Sequence, residues 1–158
     1  MHYEPAFVAH RPILAPDERD YLHHLSGQYP LARFQADARN YEEAQIDFVY
    51  TSAKIEGNTY DRLDTDNLLK LGITAGGKRY SDAVMLLNLR NGFDMVMAAD
   101  SATRLDDDYL CALHKVLMKD LLPAHEQGIV RTSAIIIGAS RYPPCPTRNA
   151  CAQNYTPS

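Results

Sequence analysis

The sequence predicts a mainly α fold with one β-hairpin near the C-terminus. Apolar residues recur at three- and four-residue intervals through most of positions 40–121, the spacing of helices that bury one face. Gly and Pro fall between these periodic stretches, where helices must stop. After Gly128 the period changes, and the β-branched run Val130–Ile137 favours a strand.

Taken in order, Pro5, Pro12 and Pro16 punctuate an aperiodic start, which predicts an extended arm over residues 1–16. Asp17 is the expected N-cap of a short helix to about Gly27, with Leu22 and Leu25 on its apolar face. A longer helix is expected from Asn40, as N-cap, to Glu56, with Glu42 and Glu43 near its positive end. Its stripe reads Tyr41, Ala44, Phe48, Ser52 and Ile55, widened by Ile46, Val49 and Ala53. Gly57-Asn58 stops it. Asp64–Leu71 predicts a short helix closed by Gly72, and Gly76-Gly77 a turn. Ser81–Ala99 predicts a helix whose neighbouring turns carry Val84, Leu87, Asn88, Met95 and Val96. Thr103 or Asp106 caps a last helix to Leu121, with Leu110, Leu113, Leu117 and Leu121 on one stripe before Pro123. Gly138–Ser140 is the expected hairpin turn, Arg141-Tyr142 the return strand, and Pro143-Pro144 its end. From Cys145 no apolar period remains, which predicts a disordered tail.

The organisation expected is therefore an arm with a short helix over 1–39, a folded part over 40–144 and a tail over 145–158. A chain of 158 residues, 46% hydrophobic and 23% charged, is ordinary for one soluble globular domain. The net charge of −4 comes without any basic run, so a nucleic-acid partner is not expected. No positive and then apolar N-terminal segment marks a secretory signal, and the uncharged stretch Ala134–Ser140 is far too short to span a bilayer. Cys111, Cys145 and Cys151 are odd in number and lack metal-like spacing. A reduced, cytoplasmic setting with no metal and no membrane partner is expected.

The chemistry-bearing residues cluster where the long helix ends. Ser52-Ala53-Lys54-Ile55-Glu56-Gly57 puts Ser52 and Glu56 on one helix face. Read without its neighbours, this is a packed serine and a solvated glutamate before a glycine stop. The stretch continues as Asn58-Thr59, and three others follow in order: Asn67–Leu71 with Gly76-Gly77-Lys78 and Met85–Leu89; Leu113–Met118 with Gly128–Arg131; and Ser133–Pro144. Together they resemble the N-terminal and flap portion of Fic proteins, which move AMP from ATP onto target hydroxyls. The likeness covers Asn40–Pro144 well and residues 1–39 loosely.

That resemblance implies a partial Fic-type helical bundle over 40–144, with an inhibitory helix at its start and a flap hairpin at its end. It implies that Ser52, Glu56, Gly57 and Asn58 are inhibitory or nucleotide-facing. In the family the glutamate takes an arginine of the catalytic loop and so fills the place the ATP γ-phosphate needs. It implies that Ser133, Ala134, Ile135, Ile136, Ile137 and Gly138 form a flap that docks an extended target segment by strand addition. Asn88 is given a packing role. His114 reads as a structural helix histidine, the alternative being a catalytic base. Ile129 departs from the pattern where a basic residue is frequent.

The family's His-Pro-Phe-x-(Asp/Glu)-Gly-Asn-Gly-Arg motif has no counterpart in these 158 residues. The change of composition at Pro144–Cys145 suggests a frameshift or early stop in a longer gene. The expectation is a chain with no catalytic residue and no cofactor of its own, ATP and Mg2+ belonging to intact relatives. The alternative function is a regulatory, antitoxin-like module that supplies the inhibitory helix in trans. The partners expected are an intact Fic protein, a protein target, or further copies meeting through exposed apolar surface.

Overall fold

A computed structural model describes residues 14–100 and 102–130. The chain divides into two compact units, one holding residues 31–129 and the other the two ends. Among the described residues all regular structure is helical, and there is no strand. The expected hairpin lies outside the described residues apart from its first position, Val130, and so does the expected tail.

In the terminal unit, α1 spans Pro16–Gln28. It starts one residue before the expected cap. Pro16 opens the helix, where its missing N–H costs nothing, and Glu18 reaches back to accept the Ala15 N–H at 2.8 Å. Asp17 is thus inside the first turn. No residue of α1 is buried.

The larger unit carries α2 (Leu31–Ala36), α3 (Ala38–Ile55), α4 (Arg62–Leu71), α5 (Tyr80–Met97) and α6 (Asp107–Leu117), with a 3-10 turn at Ala124–Glu126. The one-turn α2 has no periodic signal long enough to predict it. Its Gln35 side chain donates to the Met97 carbonyl, tying α2 to the far end of α5. Asp37 separates α2 from α3 and caps α3 by accepting the Asn40 N–H at 3.2 Å. Asn40 is therefore the donor at this cap, not the cap itself. Aspartates do the same at α4, where Asp61 accepts from Asp64, and at α6, where Asp106 accepts from Tyr109. The α4 cap places that helix start earlier than Asp64. At the other end of α6 the helix stops at Leu117, short of Leu121, and Asp120 takes a left-handed φ of 59°.

The core lies between α3, α4 and α5. Val49 and Ala53 of α3, Tyr60 of the α3–α4 connection, Leu68 of α4, and Ala83 and Leu86 of α5 form one buried cluster. The inner seam of α3 is Ile46, Val49 and Ala53. Of the stripe expected to lead, Tyr41, Ala44 and Ser52 are half-buried, Phe48 lies at the edge of the packed face, and Ile55 is 84% exposed. Both sets satisfy helical spacing, and the packing of α4 and α5 together buries the inner seam most deeply. Phe48 and Tyr41 each stack on Phe93 of α5, at 5.4 and 5.5 Å between ring centres.

Helix α6 packs on α5 at Gly92. A Cβ there would stand 2.7 Å from Leu117 Cδ2, so the small residue allows the approach. Asn88, one turn earlier, donates to the carbonyls of Leu117 and Lys119 at 3.1 and 2.7 Å. These groups at the end of α6 have no acceptor role inside the helix, and a buried asparagine satisfies them.

Candidate functional site

The segment from Ser52 to Tyr60 turns the chain out of α3. Ser52 is half-buried on the helix, and its carbonyl accepts the Glu56 N–H at 3.4 Å. Glu56 is the C-cap residue, and Gly57 follows with φ +81°, the left-handed conformation that glycine takes without a steric cost. The Asn58 N–H donates to the Ala53 carbonyl at 3.0 Å and the Gly57 N–H to the Lys54 carbonyl at 3.1 Å. This paired arrangement satisfies the last carbonyls of α3 and defines a Schellman stop.

Past Gly57 the segment is stitched inward. Asn58 is 4% exposed. Its Nδ2 donates to the Asp82 carbonyl at 2.9 Å, and its Oδ1 accepts the Tyr60 N–H at 2.9 Å. The Thr59 N–H and hydroxyl both donate to Asp82 Oδ2 in the first turn of α5. Lys78 Nζ donates to the Thr59 carbonyl at 2.7 Å. The Tyr60 ring enters the core, and its hydroxyl accepts the Ala75 N–H at 3.3 Å. Asp82 is nearly buried, and Thr59 supplies the donors that a buried carboxylate requires.

Glu56 differs from all of these. It is exposed, and among the described residues its carboxylate has neither a hydrogen bond nor an ion pair. The nearest cation in sequence, Lys54, is engaged elsewhere: its Nζ donates to the Asn58 carbonyl at 3.1 Å and lies 5.7 Å from the centre of the Tyr50 ring. A negative charge beside the end of α3 also opposes the helix dipole, by about 0.3–1 kcal/mol. The carboxylate is thus free to accept a donor from outside the described residues.

Of the residues expected at the inhibitory site, Ser52, Glu56 and Gly57 share the end of α3, and only Glu56 offers an unengaged charged group. Asn58 turns inward and closes the connection. Ser133, Ala134, Ile135, Ile136, Ile137 and Gly138 lie outside the described residues. His114, half-buried on α6, accepts the Gly128 N–H at Nδ1, 2.9 Å away, consistent with a structural role.

A second polar cluster lies at the other end of α3. Asp94 of α5 accepts from the Tyr41 hydroxyl at 3.1 Å and from Gln45 Nε2. Loss of water around the phenol, helped by the hydrogen bond and charge of Asp94, raises the Tyr41 pKa, so the hydroxyl stays a donor. Gln35, Tyr41, Asp94, Met97 and Ala98 line a shallow depression of about 280 Å³ beside it. No local pattern links Tyr41 to Asp94, which stand 53 positions apart, and sequence reasoning does not pair them. Among the described residues no group of acidic, histidine or cysteine side chains is placed to hold a metal ion. No helix among them is long and apolar enough to cross a membrane.

A scan against protein-family models found no match, and searches of curated proteins and of solved structures found no significant similarity.

Proposed function

We propose that this chain is related to Fic adenylyltransferases and that α3 acts as an inhibitory helix, with Glu56 as its working group. The observation that supports this most is the Glu56 carboxylate at the end of α3, which has no partner among the described residues, beside Asn58 and Thr59, which are tied to α5. A carboxylate in that position presents two acceptor oxygens to an incoming guanidinium. The planar fork of an arginine matches them with two parallel charge-assisted hydrogen bonds. An arginine held this way cannot also hold the γ-phosphate of ATP, and AMP transfer by the core that owns the arginine stops. Gly57 and the Schellman stop fix the direction in which α3 ends, and Asn58 and Thr59 fasten that end to α5.

The chain itself carries no phosphate-cradling Gly-Asn-Gly loop and no His-Pro-Phe motif in its 158 residues, so on this reading it does not transfer AMP alone. It acts in the cytoplasm on an intact Fic protein that supplies the arginine. An action in trans and an inactive enzyme piece both leave Glu56 without its arginine in the isolated chain, and inhibition of an intact core separates them.

The test is a reconstitution. A Fic adenylyltransferase whose own inhibitory glutamate has been removed is incubated with labelled ATP and a generic acceptor, with and without this chain. Inhibition by the wild-type chain, lost in Glu56→Gly, is the expected result. Equal inhibition by both, or none by either, overturns the role given to Glu56. The chain alone, incubated with ATP and magnesium, is expected to gain no AMP mass and to bind ATP no more tightly than about millimolar.

A further inference from the structure

We propose that the contact between His114 and Gly128 is a proton-operated latch, closed when the His114 ring is neutral and open when it is charged. The inference rests on hydrogen-bond geometry and does not depend on the Fic reading.

A backbone N–H can only donate. The 2.9 Å contact from the Gly128 N–H therefore requires a lone pair on His114 Nδ1, with the ring proton on Nε2. An imidazolium carries protons on both nitrogens and has no lone pair to offer, so protonation removes the bond and sets two N–H groups against each other.

Gly128 sits close against α6. A Cβ on it would stand 2.8 Å from the Cys111 carbonyl oxygen and 2.9 Å from Lys115 Cβ. Its φ of +69° is again the left-handed conformation that favours glycine. The backbone of this residue thus fills a notch between successive turns of α6, and His114 secures it there. The loop before it has its own tie, from Gln127 Nε2 to the Leu122 carbonyl at 2.8 Å. Opening the latch frees the Gly128 backbone from α6 and leaves that tie in place.

Two influences on the ring oppose each other. His114 lies in the last turn of α6, where the helix dipole favours a positive charge. Gly128 demands the neutral form. The ionisable groups around it do not relieve the conflict. Cys111 is one turn away on α6, and Lys115 is the next residue. On the returning segment His125 and Glu126 pair with each other at 3.5 Å. On α5, the uncharged Asn88 and Gly92 meet α6, and Asp94 is engaged with Tyr41 and Gln45 of α3. Among the described residues none of these makes an ion pair or hydrogen bond to the His114 ring. Imidazole side chains in general change charge between about pH 5 and 8, the interval the experiment spans.

The experiment is amide hydrogen exchange at Gly128 in the full chain, followed by NMR at pH 7.5 and pH 5 and expressed as protection relative to the unstructured rate. The reference is His114→Asn, whose Oδ1 occupies about the position of Nδ1 and cannot be protonated in this range. Wild-type protection is expected to match the variant at pH 7.5 and to fall roughly three- to tenfold below it at pH 5. Equal protection in both proteins at both values overturns the proposal. Ring nitrogen shifts of the wild type at pH 7.5 provide a second reading that needs no variant. Protonation at Nε2 alone supports the latch, and a proton on Nδ1 overturns it.

Discussion

Glu56 and Asn58 flank Gly57 in one turn, and their surroundings are opposite. Asn58 is buried, and both ends of its amide are hydrogen-bonded, one to α5 and one to the connection it begins. Glu56 is exposed and bonded to nothing described. Both belong to one short stretch, Glu56–Thr59, that reads as a unit in the sequence. The difference teaches that the stretch has two employments. Its second half holds the fold, because a buried amide and a nearly buried carboxylate require partners and have them. In its first half the backbone of Glu56 and Gly57 ends α3, but the Glu56 side chain has no partner among the described residues, which is the physical ground for looking for its work outside them.

The contrast can be broken most forcefully at the floor of the buried half. Tyr60→Ala removes a ring that is 2% exposed, and a loss on the order of 3–5 kcal/mol is expected in denaturant unfolding. A loss below about 1 kcal/mol would mean that the connection is not anchored as described.

Asn58→Ala comes next. It leaves the buried Tyr60 N–H without its acceptor and removes the tie to the Asp82 carbonyl, which costs about 1–3 kcal/mol. The midpoint of urea unfolding should fall with an unchanged slope. Gly57→Ala tests the hinge between the two halves. There is open space for the methyl group, so the cost is that of a left-handed alanine alone, about 1–2 kcal/mol.

An exposed carboxylate that does have partners sharpens the comparison from the other side. Asp100 accepts from the Thr103 hydroxyl and from the Ala102 and Thr103 N–H groups, at 3.0 Å each. The hydrogen bond from the Thr103 side chain, and then those from the backbone, hold its pKa below the usual carboxylate value. A depressed pKa contributes stability that is present above the unfolded value and is lost as the pH falls through the folded one. Asp100→Asn should therefore lower the melting temperature slightly at neutral pH, and the gap should close in acid. A gap that widened in acid would reverse the sign and refute the assignment.

The smallest effect is expected at Glu56 itself. Glu56→Gln should leave stability within about 0.5 kcal/mol of wild type at neutral pH. A loss above 1 kcal/mol would show a structural partner for Glu56 and remove the contrast with Asn58.

The four longest helices of the 31–129 unit were legible in the sequence because helical periodicity and local stops are written in neighbouring residues. Gly57 and Gly72 end α3 and α4 where glycine can turn left-handed, whereas of the aspartates that open α3, α4 and α6 only Asp106 was read as a cap, as an alternative to Thr103. The end of α3 and the position of Glu56 on it were legible for the same reason. What the sequence left undecided was which residues of a broad apolar stripe face inward. Ile46, Val49 and Ala53 and the set Phe48 and Ile55 fit one period equally well, and the packing of α4 and α5 buries the first, keeps Phe48 at the edge against Phe93 and leaves Ile55 exposed. The pairings of Asn58 with Asp82, of Tyr41 with Asp94 and of His114 with Gly128 were likewise decided only in three dimensions. A hydrogen bond between residues far apart in the chain leaves no local pattern, because its geometry is fixed by how whole helices pack and not by the residues beside it.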